Sequence, residues 1–399
     1  METTLVHICS SIVLTILGVP VAVFSLECLL GTFYKKSRSQ QSSERSDTVK
    51  AAILIPAHNE ELVISATLKS VADQICEQDL VLVVADNCQD STAAIVREFG
   101  FEVVERTSDS ERGKGYALNH GINHLKSLSE TPDIVIVVDA DCLLAEGALD
   151  ALKHAVLERD LPVQACYLMK RGNVERLAVK VSEFAFMVKN KIRLRGLSRM
   201  NMPVPLTGTG MAFPWAAITS VKLATGDIVE DMRLGVELAE QGKGATYCDE
   251  ALVYSYFPSS EEAEKTQRER WEHGHLGTLI QFAPRLLKRA VAKLSVKAFG
   301  MMLDLAVPPL SLLVILIAIS VLAFVIQGLG WGIWTYFLIS LGYLITLFIV
   351  IFLAWQRHGK QILSAQEMCH IPVYIVSKIA VYIAYIARKQ TKWIRTDRH

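Results

Sequence analysis

The 399-residue chain has no surplus of charge of either sign: 41 lysines and arginines stand against 41 aspartates and glutamates, and the formal net charge is zero. Binding to a phosphate backbone needs a clear excess of basic side chains, so nucleic acid is set aside as the main partner. Cysteine pairing is missing too. None of the eight cysteines stands in C-x-x-C spacing, and Cys9 and Cys28 lie inside an apolar segment. That excludes a zinc or disulfide framework and fits buried thiols in a reducing compartment. The same N-terminal segment lacks the basic leading region and small-residue cleavage site of a signal peptide. Between Asp304 and Arg357 formal charge is missing altogether.

What is present is a mixed architecture, 51% hydrophobic yet 21% charged. From Leu5 to Tyr34 the one formal charge is Glu27, and a bilayer crossing needs roughly 20 apolar residues. Residues 1–34 therefore read as a transmembrane anchor. The polar linker 35–49 follows, where Lys35, Lys36, Arg38, Arg45 and the adjoining Lys50 outnumber Glu44 and Asp47. By the positive-inside rule the next domain lies in the cytoplasm, which makes this a multi-pass protein of the cell (inner) membrane. The uncharged stretch 304–355 is broken by Gln327 to Gly332 and reads as a transmembrane hairpin, with Gln356 to Lys360 as its cytoplasmic flank.

Two further segments are amphipathic. In 280–303, Arg285, Arg289, Lys293 and Lys297 recur every four residues while Leu287, Val291, Leu294, Ala298 and Met301 fall on another face. With Pro284 suited to a first helical turn, this predicts a helix lying in the headgroup layer. In 356–399 the apolar run Ile371 to Ala387 is short, contains Lys378 and precedes a basic tail. On a helix Tyr374, Lys378, Tyr382 and Tyr385 share one face, which predicts a surface-lying or re-entrant helix.

Residues 50–279 alternate between apolar β-branched runs and stretches of helical periodicity, Glu60 to Asp73, Ser91 to Phe99 and Gly115 to Leu128. Such alternation predicts an α/β domain with a mostly parallel sheet covered on both faces, and ligands bind such sheets beyond the carboxyl ends of the strands. Three of those ends are polar: Pro56 to Glu60, Ala85 to Thr92, and Asp139 to Cys142. Asp139 and Asp141 stand one residue apart, so on a strand they project to the same side and repel each other. A hard divalent cation between them resolves the conflict, although an isolated D-x-D is usually a solvated acidic turn. The closely spaced His273 and His275 do not share a helix face and are not read as a metal pair.

The motifs PAHNE (Pro56 to Glu60), DNCQDST (Asp86 to Thr92), RGKGYALNHG (Arg112 to Gly121), Asp139-Ala140-Asp141, TGTGMAF (Thr207 to Phe213), VEDMRLG (Val229 to Gly235) and QRERW (Gln267 to Trp271) occur in one order. In that order they resemble family 2 glycosyltransferases, and with the flanking spans they resemble the membrane-embedded branch that includes cellulose and hyaluronan synthases. One departure is Val229-Glu230-Asp231, where the family often has T-E-D; the carboxylate taken as base is still present.

The resemblance implies a GT-A fold and a nucleotide-sugar donor, a UDP-sugar in the favoured case. Pro56, Glu60, Asp86, Lys114 and Asp139 would bind that donor, Asp86 holding the base and Lys114 bringing charge and backbone N–H groups near it. Asp139 and Asp141 would hold Mg2+ or Mn2+ with the diphosphate. Asp231 would be the catalytic base, beside Glu230, at a helix N-terminus whose dipole favours its ionised form. A single displacement from the opposite face implies inversion. Glu230, Gln267, Arg270 and Trp271 would meet the acceptor and the diphosphate, Arg270 suiting the diphosphate and Trp271 an acceptor sugar, although Arg and Trp also anchor helices at membrane interfaces.

The acceptor expected from this likeness is a growing polysaccharide, and passage of a polymer through so few spans calls for a partner subunit or a homo-oligomer. A lipid glycosyltransferase adding one sugar to a polyprenyl phosphate, ceramide or diacylglycerol would use the same donor site. A transporter or channel is disfavoured, because three or four spans rarely enclose a pathway and a catalytic-looking domain fills more than half of the chain.

Overall fold

The computed structural model describes residues 2–34, 49–227, 229–258, 260–379 and 382. The basic linker residues Lys35 to Asp47, together with Tyr385 and the basic tail, lie outside the described residues. After the helix α1 (Glu2–Thr32), strands β1 (Ala51–Ala57), β2 (Leu80–Asp86), β3 (Glu102–Arg106) and β4 (Ile134–Val137) alternate with α2 (Ile64–Ala72), α3 (Thr92–Glu98) and α4 (Lys114–Ser127). The four strands pair in parallel, with β1 between β2 and β4 and β3 outside β2. Period-two alternation sorts their side chains between two cores. Ile53 and Ile55 pack with Leu68 of α2 and Val96 of α3, whereas Ala52 and Leu54 pack with Leu118 and Ile122 of α4.

The second half of the domain comprises β5 (Leu143–Leu144), α5 (Ala148–Arg159), β6 (Val163–Lys170), α6 (Leu177–Met187), α7 (Leu194–Arg199), β7 (Met211–Pro214), α8 (Trp215–Ile218), α9 (Glu230–Glu240) and β8 (Thr246–Tyr256). The eight strands form one sheet in the order β3-β2-β1-β4-β7-β6-β8-β5. β7 runs antiparallel to both β4 and β6, β6 and β8 are parallel, and β5 closes the edge antiparallel to β8. The sheet is thus mixed and mostly parallel. Between α6 and α7 the helical path widens into a π-helix, Val188–Arg193.

The remainder is helical: α10 (Glu261–Lys293), α11 (Val296–Leu305), α12 (Leu310–Trp331), α13 (Thr335–Ala354), α14 (Ala365–Met368) and α15 (Ile371–Ser377). Among the described residues, three helices, beginning at Thr3, Leu310 and Thr335, are long and apolar enough to cross a membrane. α10 corrects one expectation. Pro284 does not open a separate helix but lies inside α10, which is capped at its start by Ser260, whose side chain accepts from the Ala263 N–H. A proline removes one helical hydrogen bond. Here Phe282 and Leu286, on either side of it, are buried against Val236 and Met301, and that packing carries the helix through. The break falls ten residues later at Leu294, whose φ of 49° is left-handed.

The membrane helices are built into the domain. Leu17, Val21 and Phe24 of α1 share one core with Leu313, Ile317, Leu347, Val350, Phe184 and Ile192. At Gly31 an added Cβ would stand 1.8 Å from the Ile192 carbonyl oxygen, and at Gly196 2.0 Å from that of Glu27. Backbone therefore meets backbone where α1 crosses the π-helix and α7, an approach that glycine alone permits. Beside this crossing the Arg193 guanidinium donates to Glu27 Oε2 at 2.6 Å and to Asp304 Oδ1 at 2.5 Å. The lone charge between Leu5 and Thr32 of this apolar helix is thereby neutralised, as a buried carboxylate requires.

Candidate active site

β4 ends at Val137, and the acidic pair follows in the turn beyond its carboxyl end. Carboxylate oxygens of Asp139 and Asp141 and the Cys142 sulfur all lie within 4.8 Å of one another. Burial, reinforced by the Asp139 charge, pushes the Cys142 thiol up to about 12. It stays protonated, so the donors offered are hard oxygens, the set that suits Mg2+ or Mn2+.

Three other elements converge on Asp139. Lys114, the first residue of α4, gives its ammonium to Asp139 Oδ1 and, at 2.7 Å, to the Gly208 carbonyl. Gly113 supplies a φ of 123° at that helix start, and a Cβ on Gly115 would meet the Thr225 carbonyl oxygen at 2.6 Å. The two glycines flanking Lys114 thus have separate reasons, a turn and a close approach. The loop before β7 lies alongside: the Asp139 N–H donates to Thr209 Oγ1 at 3.0 Å. Gly208 has a φ of 92°, and a Cβ there would stand 3.4 Å from Asp231 Oδ2 and 3.7 Å from Lys114 Nζ. Finally α9 begins with Glu230, 3.9 Å from Lys114 Nζ, and Asp231.

The electrostatics of this cluster follow from its burial. Desolvation, with the neighbouring Asp231 charge, drives Glu230 up to about 8 against the opposing pull of Lys114. Burial also raises Asp231 above the ordinary carboxylate range, again against Lys114. The dipole of α9 favours an ionised Asp231, but at this depth desolvation wins. Burial works against the Lys114 charge as well, yet Asp139 and Glu230 outweigh it and its pKa rises.

Arg270, half-buried on α10, is held below its ordinary range by burial, while Glu230, Asp139 and Asp231 pull the other way. Gln267, one turn earlier, is buried. Trp271 is half-buried, its ring tilted against Phe186 at 5.7 Å. Pro56, Glu60 and Asp86 form a neighbouring group at the ends of β1 and β2. Pro56 pairs in register with Val84, the Glu60 N–H donates to Thr92 Oγ1 at 2.8 Å, and Asp86 is buried with Arg106 donating to Oδ1 at 2.7 Å. His275 is neutral, pushed down to about 3 by burial, with Lys189 and Arg193 adding to the effect; its Nε2–H donates to the Val307 carbonyl at 3.0 Å.

Lys114, Asp139, Asp141, Glu230 and Asp231 thus belong to one cluster, and Arg270 lies where their charges act on it. Tyr374, Lys378 and Tyr382 do not join it. Lys378 pairs with Glu272 at 2.7 Å, and the Tyr382 and Tyr374 hydroxyls lie 2.6 Å from Ser311 Oγ and 3.2 Å from Ser182 Oγ. Gly208, Thr209 and Arg106 take places that no motif spacing assigned to them. The positive φ at Gly208 was the recoverable signal, since a T-G-T-G loop before a strand asks for one.

The family model described as "Glycosyltransferase like family 2" matches residues 50–274. Among curated proteins, the probable glycosyltransferase YdaM of Bacillus subtilis (strain 168) is 26% identical over 261 residues, 60% of this chain and 58% of that protein. The 4,4'-diaponeurosporenoate glycosyltransferase of Staphylococcus aureus (strain MRSA252) is 26% identical over 270 residues, 65% of this chain and 69% of that one. Among solved structures, a mannosyltransferase from Pyrobaculum calidifontis, in complex with GDP-Man and Mn2+, superposes with a TM-score of 0.48 at 18% identity, covering 85% of this chain and 99% of that chain. A family match over more than half of the chain, spanning every strand of the sheet and the helix starts that meet at the acidic cluster, places this protein among the family 2 glycosyltransferases.

Proposed function

We propose that the chain moves a sugar, with inversion, from a nucleotide-sugar donor to an acceptor carried by the membrane. The observation that supports this most is the meeting of Lys114, Asp139, Glu230 and Asp231 around the side-chain-free Gly208. Asp139 and Asp141 would hold Mg2+ or Mn2+ through their oxygens, and a divalent ion there supplies Lewis-acid stabilisation of a departing nucleoside diphosphate. Lys114 places a cation on the same side, and Arg270 adds a planar guanidinium suited to diphosphate oxygens. Pro56, Glu60 and Asp86 line the neighbouring strand ends where the nucleoside of a UDP-sugar would lie.

Asp231 takes the acceptor hydroxyl's proton as that oxygen attacks the anomeric carbon. Burial brings its pKa toward the working pH, which strengthens it as a base. Attack opposite the leaving group inverts the centre and leaves no sugar bonded to the enzyme.

The domain works against the cytoplasmic face of the membrane. Ile280, Leu287, Val291, Leu294 and Val296 are all exposed on the far half of α10 and the start of α11, among Arg289, Lys293 and Lys297. Apolar side chains rimmed by bases suit an anionic headgroup layer. The engagement of Tyr374, Lys378 and Tyr382 in packing contacts favours a lipid-borne acceptor over a polymer threading past them. A growing polysaccharide is the second reading, favoured by the half-exposed indole of Trp271 beside Arg270.

Membranes containing the protein, offered labelled nucleotide sugars with product sizing, separate the two: one sugar on a lipid, or a ladder. Asp231→Asn should keep nucleotide affinity and lose transfer by roughly a hundredfold or more. Lower yield with unchanged specific activity would make Asp231 structural and sink the reading.

A further inference from the structure

The helix that carries the base opens without a cap. A serine, threonine, aspartate or asparagine ordinarily binds the free N–H groups of a first helical turn, but α9 is preceded by Val229 and has no side-chain cap hydrogen bond. The bonds around this turn are local. Asp231 Oδ1 accepts from the Met232 N–H at 2.8 Å, and the Arg233 guanidinium reaches back to Asp227 at 2.6 Å. They shape the turn without fixing where it sits in the domain, and Lys114, 3.9 Å from Glu230, tethers it only loosely.

The start of α9 rests instead on α10, at Gly274. A Cβ on Gly274 would stand 2.4 Å from Val229 Cγ1 and 3.4 Å from Cγ2, so the approach depends on the missing side chain. Arg270 lies one turn earlier on the same face of α10, which turns it to the side where α9 begins. α10 itself is held from other directions. Lys378 donates to Glu272 at 2.7 Å, and His275 Nε2–H to the Val307 carbonyl at 3.0 Å, just ahead of the span that starts at Leu310. About two turns further along α10, Phe282 and Leu286 pack on Val236 and Ala239, which fixes the far half of α9. A side chain at position 274 would therefore push the near end, where Asp231 sits.

We propose that Gly274 is a positioning residue for sugar transfer: by admitting Val229 onto α10 it sets where Asp231 meets the acceptor hydroxyl. This rests on the assignment of Asp231 as the base. Carbon atoms in ordinary contact stand about 3.5–4.0 Å apart, so Gly274→Ala must displace Val229 by about 1 Å. A misplacement of about 1 Å at a reacting group costs on the order of a hundredfold in rate. The carboxylate is thus placed by the helix that leads to the membrane spans, in the absence of a cap on its own.

The test uses the full chain in nanodiscs and takes two readings. Hydrogen exchange of residues 229–236 needs no substrate; kcat and KM are read with the labelled nucleotide sugar that the membranes transfer. Gly274→Ala should speed exchange at the start of α9 by about tenfold or more and lower kcat by about ten- to a hundredfold, with the donor KM within about twofold of wild type. Gly277→Ala, on the same helix, adds a Cβ that meets nothing within 4 Å and should change neither reading. Alanine favours both helical positions over glycine, so a loss confined to Gly274→Ala is a loss of placement. Val229→Ala combined with Gly274→Ala supplies the missing room and should bring kcat back to within about threefold of wild type. Exchange and kcat both within about twofold of wild type in Gly274→Ala would overturn the proposal, as would a double variant no faster than Gly274→Ala alone. If Gly274→Ala does not fold, Val229→Ala reads the same contact from the other side: faster exchange at the α9 start with a lower kcat supports the proposal, and wild-type values overturn it. Retained transfer in Asp231→Asn would instead remove the base assignment and leave the exchange result standing.

Discussion

Replacing Arg193 by methionine should be among the most damaging single changes outside the active site. The guanidinium bonds both Glu27 and Asp304, whose side chains are 1% and 10% exposed. Its removal leaves two anions facing each other beside the crossing of α1 and the domain. Breaking a buried ion pair from one side costs about 3–5 kcal/mol, because the remaining charge is uncompensated. For a chain of this size that corresponds to a fall in Tm on the order of 5–10 °C. Glu27→Gln should cost less, roughly 1.5–3 kcal/mol for one hydrogen bond to a charged group, because Arg193 keeps Asp304. The combination Glu27→Gln, Arg193→Met and Asp304→Asn removes every charge at once and should recover most of the loss. Thermal unfolding in nanodiscs, followed by tryptophan fluorescence, measures all three variants. A triple variant as unstable as Arg193→Met alone, or an Arg193→Met protein as stable as wild type, would refute the electrostatic account and leave only side-chain packing.

Asp141→Asn should abolish transfer while the protein stays folded in the membrane, and a chelator should silence wild type; full turnover in excess EDTA ends the metal assignment. Gly208→Ala should cut transfer, since alanine is strained at a φ of 92° and a shift of the loop to relieve it would move the Gly208 carbonyl that Lys114 holds; turnover at the wild-type level would show that the loop yields. His275 gives a pH test. Its folded pKa of about 3 lies below its unfolded value, so the neutral ring's contribution is complete above about pH 6.5 and is lost as pH falls toward 3. Between pH 6.5 and 5 the loss should approach about 2 kcal/mol, and His275→Gln should flatten that slope; parallel slopes for the two proteins would count against it.

β1, β2 and β4 were legible because each is a nearly unbroken apolar run between helices, and the Val103–Val104 pair marked β3. β6 and β8 were not. Gln164 and Lys170 interrupt the first, and Asp249 and Glu250 interrupt the second. Their polar residues are satisfied by tertiary partners, as where Gln164 donates to the Thr209 carbonyl and Arg195 grips Asp249. No local pattern announces such partners. The active-site carboxylates could be found from motif spacing, but their protonation could not, because depth decides it. Pro284 misled for a related reason: proline marks a helix start only when nothing else holds the helix through it, and the packing of Phe282 and Leu286 did so.

The contacts of Gly31 and Gly196 bear on how far the chain can be dissected. A cut at residue 49 would seem to remove no more than an anchor. It would instead strip the π-helix and α7 of the backbone they lie against, and bare Phe184, Val188 and Ile192. The excised domain should come out of cells as aggregates, and adding α1 back as a separate peptide should rescue it, since the surface left behind has the relief of that one helix. The first span is better regarded as the interior wall of the enzyme than as its mooring.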